Sequence, residues 1–452
     1  MTAFDLTPGV ARRALGGTIP STALEDDAVL ERYAVVVWSH LTEPGDGVAG
    51  RLVAQLGAAQ ALRLVMGDAP ERSNSVTPDE LAAGRKRWIP RLGADAVSFS
   101  LRIAAVSGMT ILTRADPEWP VQLHDLGDHA PLCLWVRGDP ARLRLLNPAV
   151  ALVGARAATS YGDHVALELA ADLAGGGIPV VSGGAYGIDG AAHRAAMAVG
   201  GLTVAMLAGG ADRAYPAGHA QLIGHIAEAG VVASEVPCGS APTKWRFLQR
   251  NRLIAALSAA SVVVEAGWRS GALNTAAHAV SMSRGLGAVP GPITSSASAG
   301  THRLMREFGA TCITSAADVR ELLGVAGAAD RPAGGQGAEG QRAAGPAANG
   351  PTSNGRRADG RPPTDDAMRV RDALSTRVWR EVHDLARRTG MATDDVEGIL
   401  GLLLLQSEVI RSPAGWRALP RRADAIGVAG VHQTPPRSAG AVTSREAGML
   451  DS

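Results

Sequence analysis

The sequence predicts an α/β protein: a Rossmann-like, doubly wound, mostly parallel sheet, preceded by an N-terminal helical module and followed by a small winged-helix-like domain. Three observations carry that prediction. Strand-like apolar runs at 149–153, 178–182, 202–208, 231–236, 261–265, 286–289 and 311–314 alternate with stretches of helical length, which implies crossover connections and a sheet covered on both faces. Several runs leave through glycine, as in Val153-Gly154-Ala155-Arg156 and Ser182-Gly183-Gly184. Upstream, apolar residues recur at helical spacing through 29–41 and 49–66.

In chain order, residues 1–110 form the helical module, with a polar break around 67–78. A transition follows: Met109-Thr-Ile-Leu-Thr, then Asp116-Pro-Glu-Trp-Pro120, then a short strand that closes on Arg137-Gly138-Asp139. The α/β domain occupies 111–324. Residues 325–365 have scarcely a large apolar side chain, so burial cannot offset their ordering entropy, and a disordered linker is expected. Residues 366–420 read as three short helices at 370–374, 380–388 and 393–406 and a two-strand wing from Val409. A disordered tail is expected over 421–452.

With 452 residues, 46% of them apolar, the chain can bury a large core, and its net charge of +1 carries no polyanion signal as a total. The placement of charge does. Residues 236–306 hold Lys244, Arg246, Arg250, Arg252, Arg269, Arg284, Arg303 and Arg306 against a single acid, Glu265. Cations gathered on a folded α/β surface suit phosphates. Lys86 and Lys244 are the only lysines, which reads as coding bias toward arginine, so each arginine needs local support as a phosphate ligand. Cys133, Cys238 and Cys312 lie far apart without a CxxC pair, arguing against zinc and a disulfide framework. No signal peptide or membrane-length run is visible. A cytoplasmic protein without cofactor or membrane contact is expected.

Two Gly-rich exits are candidate ligand loops. Gly154 permits close backbone approach and Arg156 offers a planar fork; in Ser182-Gly183-Gly184-Ala185-Tyr186-Gly187-Ile188-Asp189, helix amides behind the turn would seat an anion, with Asp189 as the helix cap. Each loop alone is equally a tight turn with no ligand. Neither is a Walker A sequence nor a full GxGxxG, so ATP hydrolysis and hydride transfer are poorly supported. His193, four residues after Asp189, makes an acid/base pair conceivable, with a local helix hydrogen bond the stronger reading.

Over roughly residues 111–320 the ordered motifs become specific. They are the Gly-x-Arg loop, Ser-Gly-x-Ala-x-Gly-Ile-Asp, Tyr215-Pro216, Arg250-Asn251-Arg252, Glu265-Ala, Ser270-Gly271-Ala272-Leu273 and Val289-Pro290-Gly291-Pro292-Ile293. In this order they resemble the DNA-processing protein A family, also called Smf. The resemblance implies a protein, not an enzyme, that binds single-stranded DNA, protects incoming strands in transformation, loads the RecA recombinase and works as a homodimer. Ala155, Gly184, Tyr186 and Asn274 depart from the family pattern, and an aromatic Tyr186 replaces an expected cation. The predicted DNA-binding residues are Gly154, Arg156, Ser182, Gly183, Gly187, Lys244, Phe247, Arg250, Asn251, Arg252, Ser270 and Gly271. Arg156, Lys244, Arg250 and Arg252 would meet phosphates; Phe247 would stack on a base or pack in the core; Asn251 and Ser270 would bind sugar or phosphate or act as caps.

Two rivals compete. A nucleotide phosphoribohydrolase shares such a Gly-rich loop, but it needs a catalytic Glu in a helix that here lacks an acid after Glu265, a residue better suited to orienting arginines or amides. Alternatively the C-terminal module reads duplex DNA, yet its candidate recognition helix begins with Asp394, Asp395 and Glu397, the wrong sign for phosphate.

Overall fold

The computed structural model describes residues 5–18, 24–67, 73–325, 366–405 and 408–419. The expected linker, apart from Val325, and the expected tail lie outside the described residues. Helices α1 (Pro8–Leu15), α2 (Asp26–Leu41), α3 (Gly47–Leu56), α4 (Ala58–Met66), α5 (Pro78–Trp88) and α6 (Ala94–Val106) come first. Strands β1 (Thr110–Thr113), β2 (Cys133–Gly138), β3 (Val150–Gly154), β4 (Val180–Ser182), β5 (Thr203–Leu207), β6 (Val231–Ser234), β7 (Ala260–Glu265), β8 (Gly285–Ala288) and β9 (Thr311–Cys312) follow. Between them run α7 (Ser160–Gly175), α8 (Ile188–Ala198), α9 (Ala220–Ala229), α10 (Lys244–Ala256), α11 (Ala272–Ser281) and α12 (Ala299–Phe308), and α13 (Ala316–Leu322) follows β9.

Among the described residues these nine strands form one sheet in the order β1-β2-β6-β5-β4-β3-β7-β8-β9. β3 to β9 pair in parallel, and β2 joins β6 antiparallel with β1 outside it. The transition segment thus supplies the mixed edge, where β1 and β2 extend the sheet by antiparallel pairing. Period-two alternation sorts the side chains. Val150 and Leu152 of β3 and Val262 and Val264 of β7 pack with α7, α8 and α13, whereas Ala151, Val153 and Val263 face α10, α11 and α12.

The N-terminal helices share their core with the sheet. Trp38, Leu62 and Trp88 share one continuous apolar cluster with Ile111, Trp135, Ala205 and Leu207, so the helices cover a flank of the sheet. Thr77 and Glu80 start α5 with a capping box, and Asp46 caps α3 while accepting the Trp88 indole N–H at 3.0 Å. The last described segments are α14 (Asp366–Ala373), α15 (Val382–Thr389), α16 (Thr393–Leu405), β10 (Val409–Ser412) and β11 (Gly415–Ala418), packed around Val370, Leu385, Leu400 and Trp416. They rest on the main body where the Arg369 guanidinium lies 5.1 Å from the Trp245 ring and Lys86 meets Asp394 at 3.3 Å.

Three histidines are held neutral by this packing. Burial lowers His40 and His193 from 6.5 to about 3 and His278 to about 4, aided by Arg91 at His40, His219 at His193 and Arg252 at His278. The unfolded chain binds these protons near pH 6.5 and the folded one does not. The stabilisation is therefore full above that pH and is lost as pH falls, toward 4 for His278 and toward 3 for His40 and His193, at about 1.4 kcal/mol per pH unit for each proton. Urea unfolding at pH 7 and pH 5 should show a markedly lower midpoint at pH 5; equal midpoints would contradict the burial described.

Candidate functional site

β3 and β7 are neighbours whose connections depart to opposite sides of the sheet, so their carboxyl ends open a crevice at the point where strand order reverses. A register irregularity falls between Val153 and Gly154, at its mouth. The crevice is a cavity of about 730 Å³, lined by Gly154, Ala155 and Arg156 after β3, by Tyr215, by Lys244, Phe247, Arg250 and Asn251 of α10, and by Gly267, Arg269, Ser270 and Gly271 after β7.

Glu265, at the end of β7, sets the shape of the first loop. Its carboxylate accepts the Thr159 amide at 2.9 Å and the Thr159 hydroxyl at 2.7 Å, and its carbonyl accepts the Ala155 amide at 2.7 Å. Thr159 in turn caps α7. Glu265 thus orients backbone and a hydroxyl, not an arginine. A side chain at Gly154 would meet the Glu265 carbonyl at 2.9 Å, and at Gly187, where φ is +70°, it would meet the Ala155 carbonyl at 2.2 Å. Only glycine lets the β3 and β4 loops nest together. Glu265→Ala should therefore destabilise the fold by about 1–3 kcal/mol, because buried donors lose their acceptor, and should loosen the loop that carries Arg156. Chemical denaturation checks it; an unchanged midpoint would count against this role.

Helix α10 presents the other wall. Thr243 caps it, Lys244 is exposed, and Phe247 is half-buried with its ring 5.4 Å from Tyr215. The guanidinium carbons of Arg156 and Arg250 lie 4.7 Å and 5.7 Å from the same ring. Arg250 is buried; it donates to the carbonyl of Gly183 at 2.6 Å and to that of Met206, which fastens the β4 loop to α10. Burial lowers its pKa to about 10, against the pull of Asp189, so it stays charged at neutral pH. The Asn251 side-chain amide bonds the Gly271 carbonyl and the Asn274 side chain, both at 3.3 Å, so Asn274 couples α10 to α11. Ser270 Oγ accepts the Ala272 amide at 3.3 Å.

Eight of the predicted residues thus line one cavity: Gly154, Arg156, Lys244, Phe247, Arg250, Asn251, Ser270 and Gly271. Four do not. Ser182 is buried, with its hydroxyl donating to Leu152 O at 2.6 Å. Gly183 and Gly187 serve the turn, as just described. Arg252 is not among the lining residues; its two terminal nitrogens bond both carboxylate oxygens of Glu235 at 2.7 and 2.8 Å and the carbonyl of His129 at 2.9 Å. Asp189 does not cap α8, whose cap is Gly187; instead it accepts the amides of Gly183 and Ala185. His193 is buried against Thr203, 2.7 Å from its hydroxyl, so no Asp189–His193 pair forms. Tyr186 is exposed and stands edge-on to His219 rather than in the cavity.

The basic stretch is also less basic in space than in sequence. Arg246 is taken by Glu43, Arg284 by Asp125, and Arg303 and Arg306 by Glu307. Arg156, Lys244 and Arg269 remain exposed around the cavity, with no ion pair to another described residue. Two lining residues, Arg269 and Tyr215, were absent from the predicted site, although both sit in the quoted motif neighbourhoods. A larger cavity of about 910 Å³ lies between α2, α3 and the segment after β1, but its surface is mainly apolar, its Arg32 is bound to Asp116, and Glu31, Asp116 and Glu118 outnumber its two arginines, Arg32 and Arg114. The crevice combines convergent, exposed cations with an aromatic ring, which suits an anionic ligand carrying flat rings.

Comparison with known proteins agrees in extent with this geometry. The family model of DNA recombination-mediator protein A matches residues 110–324. A DNA processing protein DprA of Mycobacterium tuberculosis is 51% identical over 273 residues, covering 57% of this chain and 68% of the relative. The DNA processing protein DprA of Bacillus subtilis is 33% identical, over 55% of this chain and 83% of its own length. The crystal structure of DNA processing protein A from Streptococcus pneumoniae superposes with a TM-score of 0.51 and 29% identity, covering 64% of this chain and 97% of that one. Among the described residues no helix is long and apolar enough to cross a membrane, and no cluster of His, Cys, Asp and Glu could hold a metal ion. The chain belongs to the DNA recombination-mediator protein A family, the DprA/Smf proteins.

Proposed function

We propose that the crevice between β3 and β7 holds single-stranded DNA without base specificity, and that the protein passes the strand to a RecA-type recombinase as a homodimer. One observation carries the ligand class: a half-buried Phe247 braced by Arg156, Arg250 and Tyr215, beside the exposed cations Lys244 and Arg269, which have no ion pair among the described residues. Aromatic faces stack on any base, and the cations track the backbone. Paired bases keep their faces inside the duplex and cannot reach Phe247. Binding is favoured over catalysis because the two acids near the loops, Glu265 and Asp189, are spent on holding backbone amides. Family membership supports the recombinase, the dimer and a part in transformation in the cytoplasm as the reading to test. The three helices and hairpin of the last described segments have the order of a winged helix, and we read them as that module. Competition titration with a labelled single strand tests the ligand class. Unlabelled single strand should displace it and duplex of the same sequence should do so far more weakly; equal displacement would overturn the reading.

A further inference from the structure

The loop after β7 carries an aromatic residue that the crevice itself does not use. Gly267 and Arg269 line the cavity, and Trp268 between them stands at its rim with 55% of its surface exposed. An exposed indole beside cations offers a face on which a base can stack. The ring is not loose: the Arg303 guanidinium carbon lies 5.1 Å from it, and Arg303 is fixed on α12 by an ion pair with Glu307 at 2.7 Å. The first turn of α12 is anchored under the same loop, where the Gly300 amide donates to Ala266 O at 2.7 Å. The indole is therefore held from below by one cation and flanked by another, Arg269.

We infer that Trp268, braced by Arg303, is a second stacking platform that takes a base of the strand as it leaves the crevice. This rests on the proposal that the crevice binds single-stranded DNA. Two features favour nucleic acid over a protein partner as the occupant. The platform is continuous with the crevice through Gly267 and Arg269. Its surroundings are also cationic, with Arg269, Arg303 and Arg306 against Glu307, whereas the core of a protein interface is depleted of charge. The crevice would hold the first bases against Phe247, and Trp268 would engage only strands long enough to continue past it.

The test uses the full chain and oligothymidylates of two lengths, one of about four and one of about sixteen nucleotides, lengths that bracket the site sizes of single-strand-binding grooves. Trp268→Ala should leave binding of the short oligonucleotide unchanged and weaken the long one by ~5- to 100-fold, the effect of losing one stacked base. Trp268→Phe should restore most of the loss and Trp268→Leu should not, which separates stacking from bulk. Thermal unfolding of the variants guards against a folding defect. Unchanged long-strand affinity in Trp268→Ala, or a loss of self-association with DNA binding intact, would overturn the platform alone. Failure of the wild-type protein to bind either length would sink the underlying reading and the platform with it.

Discussion

Replacing Phe247 by alanine is expected to weaken single-stranded DNA binding by roughly 5- to 100-fold, the range for one base–aromatic stack of about 1–3 kcal/mol. The effect follows from position. The ring is the meeting point of Arg156, Arg250 and Tyr215, so its loss removes the stacking face and also the surface that aligns two cations. Weak duplex binding through the phosphates alone should change little, because it does not use the ring. Phe247 is only half-buried, and its truncation should lower stability less than a core deletion does. Equilibrium titration of both forms measures this; equal losses for single strand and duplex would assign Phe247 to packing.

The largest stability effect is expected from Glu43→Ala, at about 3–5 kcal/mol. Glu43 is buried at the end of α2 and receives Arg246 through two hydrogen bonds of 2.7 and 3.0 Å and Arg91 at 3.0 Å. Burial alone would raise its pKa, yet Arg246 and Arg91 override it and hold the carboxyl at about 2. Removing the carboxylate leaves buried guanidinium groups without their counter-charge. Domains hold only ~5–15 kcal/mol in total, so the variant should unfold at a much lower urea concentration. A loss below about 1 kcal/mol would mean that water reaches this cluster. The same carboxylate adds to the acid sensitivity of the histidines: its stabilisation is present above pH 4.5 and is lost as pH falls toward 2.

The strands of the α/β domain were legible because β-branched runs such as Val180-Val181 and Val262-Val263-Val264 alternate with helical lengths, and both faces of a parallel sheet are buried. Helices at the N-terminus were legible from their spacing, but not their union with the sheet. That union depends on Trp38, Trp88 and Trp135 meeting across distant segments. The crevice was legible where its residues lie in loops, at Gly154–Arg156 and Ser270-Gly271. Within α10 the sequence could not show direction. Lys244, Phe247, Arg250 and Asn251 recur at helical spacing and share a face, while Arg246 and Arg252 turn to the other side. Their partners are Glu43, 203 residues from Arg246, and Glu235, 17 residues from Arg252. A local charge count cannot see such partners, which is why an acid-poor stretch of sequence is largely neutralised in the fold.

In the proposed complex, Arg156 and Lys244 neutralise phosphates of an unpaired strand at the sheet's switch point. The most direct test of these contacts is the salt dependence of single-strand affinity for the wild-type chain, Arg156→Ala and Lys244→Ala. For a single strand the slope of log affinity against log salt changes by about 0.7 for each phosphate contact. The wild type should show a steep negative slope, and each variant a slope shallower by about that amount. A wild-type affinity independent of salt, or slopes unchanged by both substitutions, would contradict it.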